Sequence, residues 1–141
     1  RDLVRSRGLG DVYKRQGYDW DSYVKYGRQR FLTAPLMKWM FGKYVSDPAQ
    51  RGNDLMSPVR ASAERLRGLP ATLIVVAEND ILRDEGEAMG RRLDEAGVEV
   101  TTVRFNGVVH DWGMLNGFAA LHPTRTLIRL VGSVLRDYLE K

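Results

Sequence analysis

The sequence predicts an α/β fold that contains a parallel sheet. Residues 71–77 (ATLIVVA) form a continuous apolar run with β-branched side chains, and residues 98–105 (VEVTTVRF) form a second strand-like run. The segment between them has helical spacing and about the length that a crossover between parallel strands needs. A strand, a helix and a second strand in this order predict a right-handed parallel crossover.

The chain before the first strand is expected to contain one helix. Residues 17–30 are polar and aromatic with no clean period, so a loop is expected there. Thr33 can cap a helix over 34–44, because Pro35 suits its first turn and apolar residues recur at helical spacing. Residues 46–70 are rich in Pro, Gly, Asn and Asp and are expected to be mostly loop.

Two further helices are expected after the first strand. Asp84 and Glu87 have the spacing of a capping box, which predicts that Asp84 caps the crossover helix. Gly97 is suited to end that helix. Residues 124–141 predict a closing amphipathic helix, and six apolar residues are expected on its buried side: Leu127, Leu130, Val131, Val134, Leu135 and Tyr138.

Composition limits the classes of function. The 141 residues suffice for one domain, and no apolar run reaches membrane-spanning length. The net charge is +4, but residues 1–16 hold five basic and two acidic side chains, so most of the excess lies there. No basic face remains that would predict a nucleic-acid partner. The sequence has no cysteine, which excludes disulfides and a thiolate nucleophile and fits a reducing compartment.

Two parallel strands are too few for an independent sheet. Parallel sheets are normally covered on both faces and contain several strands. The helix expected over 34–44 also carries more apolar surface than two strands can cover. We therefore expect the chain to be the end of a larger α/β sheet.

Polar residues follow both predicted strands. Asp80 comes just after the first strand and His110 just after the second. Because the carboxyl ends of parallel strands meet at one edge, the two side chains are expected to lie together. An aspartate that accepts the Nδ1 proton of a histidine orients the ring and stabilises the imidazolium during proton transfer. The two histidines lack spaced partners for zinc, and no metal or cofactor is expected.

Residues 69–115 carry a more specific resemblance. The stretches AENDILRDEGEA (77–88) and VVHDWGM (108–114) resemble the hormone-sensitive-lipase-like esterases, the fold-3 group of α/β-hydrolases. The resemblance extends from Tyr18 onward and implies that Asp80 is the catalytic acid and His110 the catalytic histidine. It also implies the C-terminal part of the fold: the last two parallel strands, their crossover helix, the closing helix and a preceding cap-side helix. The HDWG sequence departs mildly from the Gly-Phe or Asp-Phe that often follows this histidine.

The nucleophile of such an enzyme is missing from the sequence. No Gly-x-Ser-x-Gly elbow or His-Gly-Gly-Gly loop occurs, and five serines lack the two flanking glycines of the elbow: Ser22, Ser46, Ser57, Ser62 and Ser133. In the family that the chain resembles, both motifs lie upstream. The expected parent is thus a serine carboxylesterase acting on a small-molecule ester, and the chain alone is expected to be inactive. The alternatives are another α/β-hydrolase, such as a serine peptidase, and a non-catalytic fragment that only packs or associates.

Residues 1–16 are expected to be foreign to the domain. The stretch from Ser6 to Gln16 resembles the translation of a transposase-type sequencing adapter, so we assign the partial α/β-hydrolase domain to residues 17–141. A natural basic arm is the alternative.

Several other residues have more than one interpretation. Asp84 could replace Asp80 as the acid, but a helix cap explains it better. Glu78 and Glu85 are expected to be solvated or to support the site, and His122 to be a surface or capping residue. The apolar stripe over 36–41 could line an acyl pocket, although packing is the more frequent reason for such a stripe.

Overall fold

The computed structural model describes residues 20–140 and has the α/β architecture that the sequence predicts. Its helices and strands are α1 (Asp21–Tyr26), α2 (Ala34–Tyr44), α3 (Ala63–Leu66), β1 (Thr72–Asn79), α4 (Arg83–Glu95), β2 (Val100–Val109) and α5 (His122–Leu139). Short 3₁₀ turns occur at Pro48–Gly52, Pro58–Arg60 and Asn116–Phe118. The expectations for residues 1–16 fall outside the described part of the chain.

The two strands pair in parallel, as predicted. Thr72 of β1 lies opposite Val100 of β2, and this register continues to Ala77 opposite Phe105. Beyond that point the register shifts, and Asn79 lies opposite Val109. An irregularity in β2 therefore separates the first part of the ladder from the part that ends at the candidate site.

Helix α4 packs closely against the sheet through glycines. A methyl group added at Gly90 would collide with the side chain of Thr102, and one added at Gly86 would come within 2.7 Å of Val76. Leu93 on the same helix is buried in a cluster with its neighbours Ala61, Leu66, Ala96 and Val98. The small residues thus allow the helix to approach β1 and β2 while its apolar face fills the core.

Helix α2 and its cap agree with the prediction, whereas the loop expected over 17–30 is wrong in part. The Thr33 hydroxyl accepts the Leu36 N–H at 3.4 Å, and Pro35 lies in the first turn. Residues Asp21–Tyr26, however, form helix α1. Its six residues are too few for a periodic pattern, but the buried rings of Tyr23 and Tyr26 fix it against the rest of the chain.

Burial is limited in β1 and α5. Of the residues in β1, only Val76 and Ala77 are buried. Within the described residues the sheet has two strands, so each strand has a neighbour on one side alone. On α5, Leu127 packs against a buried cluster, but Leu135 and Tyr138 are exposed. The predicted buried face of α5 is therefore wrong at Leu135 and Tyr138, and its other four residues are partly buried. No helix within residues 20–140 is long and apolar enough to cross a membrane.

Two helical glycines provide a matched test of the packing of α4. Gly90→Ala should destabilise the chain by about 1–3 kcal/mol, because Thr102 must move to admit the methyl group. Gly132→Ala in α5 meets nothing within 4 Å and should stabilise it by about 0.5–1 kcal/mol. Urea unfolding of both variants measures the difference. Equal effects of the two substitutions would contradict the close packing of α4 on the sheet.

Candidate active site

Asp80 is the first residue after β1 and is held by its own turn. It is 9% exposed, and its Oδ1 atom accepts the backbone N–H of Leu82 at 2.9 Å. The backbone carbonyl of Asp80 accepts the N–H of Arg83 at 3.3 Å. A carboxylate that also accepts a backbone hydrogen bond has few rotamers left, so its second oxygen points in a defined direction.

That second oxygen faces His110. The distance between Asp80 Oδ2 and His110 Nδ1 is 2.8 Å, and both side chains are largely buried. The hydrogen bond to Asp80 raises the pKa of His110 above its ordinary value, against the opposing effect of burial. The structure thus brings together the two residues that the sequence placed at this sheet edge.

The other ring nitrogen lies near a second carboxylate. His110 Nε2 lies 3.4 Å from Oδ1 of Asp111, a residue with a positive φ of 58°. The Asp111 carboxylate adds to the rise in the pKa of His110. The next residue, Trp112, is buried, and its ring lies 5.4 Å from that of Phe105. The tryptophan that departs from the resembled motif therefore fastens the His110 loop to the core.

Asp84 does not cap α4 as predicted. Leu82 is the N-cap residue and makes no side-chain capping bond, while Asp84 lies inside the first turn. Its carboxylate instead accepts the backbone N–H of Ser22 at 2.8 Å and pairs with Arg83 at 2.7 Å. Glu87, the other half of the predicted capping box, hydrogen-bonds Arg104 on β2 at 2.6 Å. Long-range partners therefore replaced the local bonds that the spacing suggested.

These contacts join α1 to the turn that carries Asp80. The buried hydroxyl of Ser22 donates to the Ile81 carbonyl at 2.6 Å, and Arg83 donates to the Tyr26 hydroxyl at 3.2 Å. Burial would raise the pKa of Asp84, but the hydrogen bonds from Arg83 and Ser22 hold it below its ordinary value. Sequence reasoning missed this network, because its members lie about 60 residues apart and form no local pattern.

A separate cleft of about 840 Å³ opens beside α2 and α4. Met37 and Phe41 from the apolar stripe line it, together with Trp20, Glu85 and Arg92. Neither Asp80 nor His110 is among its lining residues. The acyl-pocket interpretation of the stripe stays a prediction. Within residues 20–140, no three His, Cys, Asp or Glu side chains are grouped as a metal site would require.

Comparisons with known proteins agree with this geometry. Residues 9–114 match the model of a family described as alpha/beta hydrolase fold, and the chain belongs to this family. A crystal structure of a thermostable esterase from Pseudomonas putida is 43% identical, with a TM-score of 0.80 over 82% of this chain and 36% of that one. These matches confirm the resemblance to fold-3 esterases. The match begins inside residues 1–16, and the domain boundary at residue 17 stays a prediction.

Curated relatives include named esterases. The arylesterase of Saccharolobus solfataricus is 37% identical over 67% of this chain and 28% of its own length. The ethyl acetate hydrolase of Pseudomonas putida is 36% identical over 64% of this chain and 28% of its own length. The chain thus spans about a third of the length of the proteins that it matches.

The raised pKa of His110 predicts a pH dependence of stability. A histidine whose pKa is raised by folding contributes stability that is complete below its unfolded pKa of about 6.5 and is lost as the pH rises through the folded pKa. The free energy of unfolding should therefore fall as the pH rises across this interval. Urea unfolding at a series of pH values measures it. Asp80→Asn should remove most of the fall, and an unchanged fall would contradict the proposed pairing of the two groups.

The corrected role of Asp84 predicts a stability cost. Asp84→Ala should lower the free energy of unfolding by about 1–3 kcal/mol, because it leaves the Ser22 N–H without its acceptor and removes the ion pair with Arg83. Asp84→Asn should cost less, since an amide oxygen can still accept from Ser22. Asp94→Ala, an exposed change on the same helix, is the control and should stay within about 0.5 kcal/mol. Similar losses of unfolding free energy in Asp84→Ala and Asp94→Ala would show that the contacts of Asp84 with Ser22 and Arg83 do not stabilise the chain.

Proposed function

We propose that this chain supplies the acid and the base of a Ser-His-Asp triad in a carboxylic ester hydrolase of the hormone-sensitive-lipase-like group. The observation that carries the proposal is the 2.8 Å hydrogen bond between Asp80 and His110. It lies where the two parallel strands end, which is where open α/β sheets form their sites. Membership of the α/β-hydrolase family supports this assignment.

The geometry suits proton transfer through the far nitrogen of His110. Asp80 holds the Nδ1–H, which leaves Nε2 unprotonated and able to take the proton of a serine hydroxyl. The serine oxygen then attacks the ester carbonyl, and the protonated Nε2 returns its proton to the departing alcohol. A water molecule, deprotonated by the same nitrogen, then attacks the acyl-serine, and Nε2 returns this proton to the serine oxygen as the carboxylic acid is released. Asp80 stays ionised throughout and stabilises the imidazolium in each half of the reaction.

The nucleophile of the proposed triad lies outside these 141 residues. No serine of the sequence has the flanking glycines of a nucleophile elbow. Ser22, which takes part in the α1 contacts described above, is fully buried, and its hydroxyl donates to the Ile81 carbonyl. An oxyanion hole of the kind that supplies much of the rate of acyl transfer would likewise come from the remainder of the parent protein.

The substrate class follows from the relatives. The two curated relatives described above are named for the hydrolysis of aryl esters and of ethyl acetate. We accordingly propose a small carboxylic ester as the substrate. The nearly neutral charge balance outside residues 1–16 gives no reason to expect a strongly charged one.

Activity measurements test the proposal. The 141-residue chain should not hydrolyse a short-chain aryl ester such as 4-nitrophenyl acetate, because it has a base and an orienting acid but no activated nucleophile. In the full-length parent, His110→Ala and Asp80→Asn should each lower kcat by about 10³–10⁶-fold. The loss in Asp80→Asn arises because an amide favours the wrong histidine tautomer.

Two further variants in the same parent distinguish the acid from its neighbours. Asp84→Asn should keep kcat within about tenfold, because Asp84 supports the turn and does not contact His110. Asp94→Asn on the exposed side of α4 should leave kcat unchanged and controls for general effects of charge. A parent that is inactive with Asp84→Asn and active with Asp80→Asn would overturn the assignment of the acid.

A further inference from the structure

The strand register explains why His110 meets Asp80. From Thr72 to Ala77, each residue of β1 pairs with the residue 28 positions later in β2. At Asn79 the partner, Val109, lies 30 positions later. The same separation of 30 positions joins Asp80 to His110. With the earlier register, Val108 would lie beside Asp80, so the hydrogen bond depends on two extra residues in β2.

The extra residues are accommodated at one glycine. Gly107 has a positive φ of 75°, a conformation that side-chain-bearing residues seldom adopt. A Cβ added there would meet nothing within 4 Å, so the backbone angle and not space requires the glycine. Bulges with a left-handed glycine bend the strand and re-aim the residues that follow. Val108, the next residue, turns into the core and packs with Ala77 and Trp112.

A side chain of β1 hydrogen-bonds the backbone of the bulge. Glu78 lies between the two registers, and its Oε2 atom accepts the N–H of Gly107 at 2.7 Å. The backbone carbonyl of the same residue accepts from Arg83 at 3.2 Å. Glu78 is thereby held through both its carboxylate and its carbonyl, and the carboxylate binds directly to the bulge.

We infer that Glu78 and Gly107 set the strand register at the candidate site, which makes Glu78 a positioning residue for His110. The carboxylate holds the bulge, the bulge shifts the end of β2, and the shift brings the ring of His110 to Asp80. Glu78 acts as a hydrogen-bond acceptor in this role and not as a charge. Its consequence for catalysis rests on the function proposed above, whereas the geometric role does not.

A titration of the two histidines tests the inference without any need for activity. His110 and His122 are the only histidines of the sequence, so ¹⁵N-histidine labelling of the 141-residue chain gives two ring systems, with His122 as the internal reference. In Glu78→Ala, the pKa of His110 should fall toward the ordinary value of about 6.5, and its hydrogen-bonded Nδ1–H signal should be lost. In Glu78→Gln, both should persist, because the amide oxygen can accept from Gly107.

The comparison of Glu78→Ala with Glu78→Gln separates the effect of the Glu78 hydrogen bond from the effect of its charge. A pKa of His110 that is unchanged in Glu78→Ala overturns the inference, and so does a fall in Glu78→Gln as large as that in Glu78→Ala. Should Glu78→Ala fail to fold, Gly107→Ala decides, since it keeps the carboxylate and strains only the bulge. The Nδ1–H signal of His110 should then weaken, and an unaltered signal overturns the inference.

One further variant keeps the two proposals apart. Asp80→Asn removes the charged partner of His110 and should lower the pKa of that histidine in the same titration. An effect of Asp80→Asn without an effect of Glu78→Ala would overturn only the role of Glu78. The absence of any effect of Asp80→Asn would overturn the paired site on which the proposed function rests.

Discussion

The candidate site depends on the pairing of two adjacent parallel strands. This pairing carries two loops, which lie 30 residues apart in the sequence, to one edge of the sheet. Only there can Asp80 Oδ2 come within 2.8 Å of His110 Nδ1. Glycines on α4 allow the crossover helix to lie close to the strands, and the buried ring of Trp112 fastens the second loop to the core. The geometry of the pair is thus a property of the sheet and its packing.

Each loop is also supported from outside the sheet. The turn that follows β1 is bound to helix α1 through Ser22 and Asp84, and Arg83 links the same turn to Tyr26. The end of β2 is bound to β1 through Glu78 and the bulge at Gly107. A paired acid and histidine work only within narrow limits of distance and orientation. These contacts reduce the freedom of both loops.

Local patterns predicted the elements well, because they reflect local physics. The apolar runs predicted both strands, and the spacing around Thr33 and Pro35 predicted α2. The positions of Asp80 and His110 after the two strands predicted that their side chains lie together. The predicted role of Asp84 was wrong, because its carboxylate bonds Arg83 and the backbone N–H of Ser22, and Ser22 lies 62 residues away, outside any local sequence window. Helix α1 is held by long-range burial and has no period of its own. The role inferred for Glu78 could not be predicted from the sequence, because it depends on the register of β2. The hydrophobic pattern does not show where a bulge shifts that register.

The central claim is that Asp80 and His110 are the acid and base of a serine esterase whose nucleophile lies elsewhere in the parent. The most direct measurement is the coding sequence on the 5′ side of codon 17, read from the source DNA. The account predicts an in-frame Gly-x-Ser-x-Gly elbow, with a His-Gly-Gly-Gly loop before it. An uninterrupted reading frame as long as that of the relatives, with no serine elbow, would contradict it.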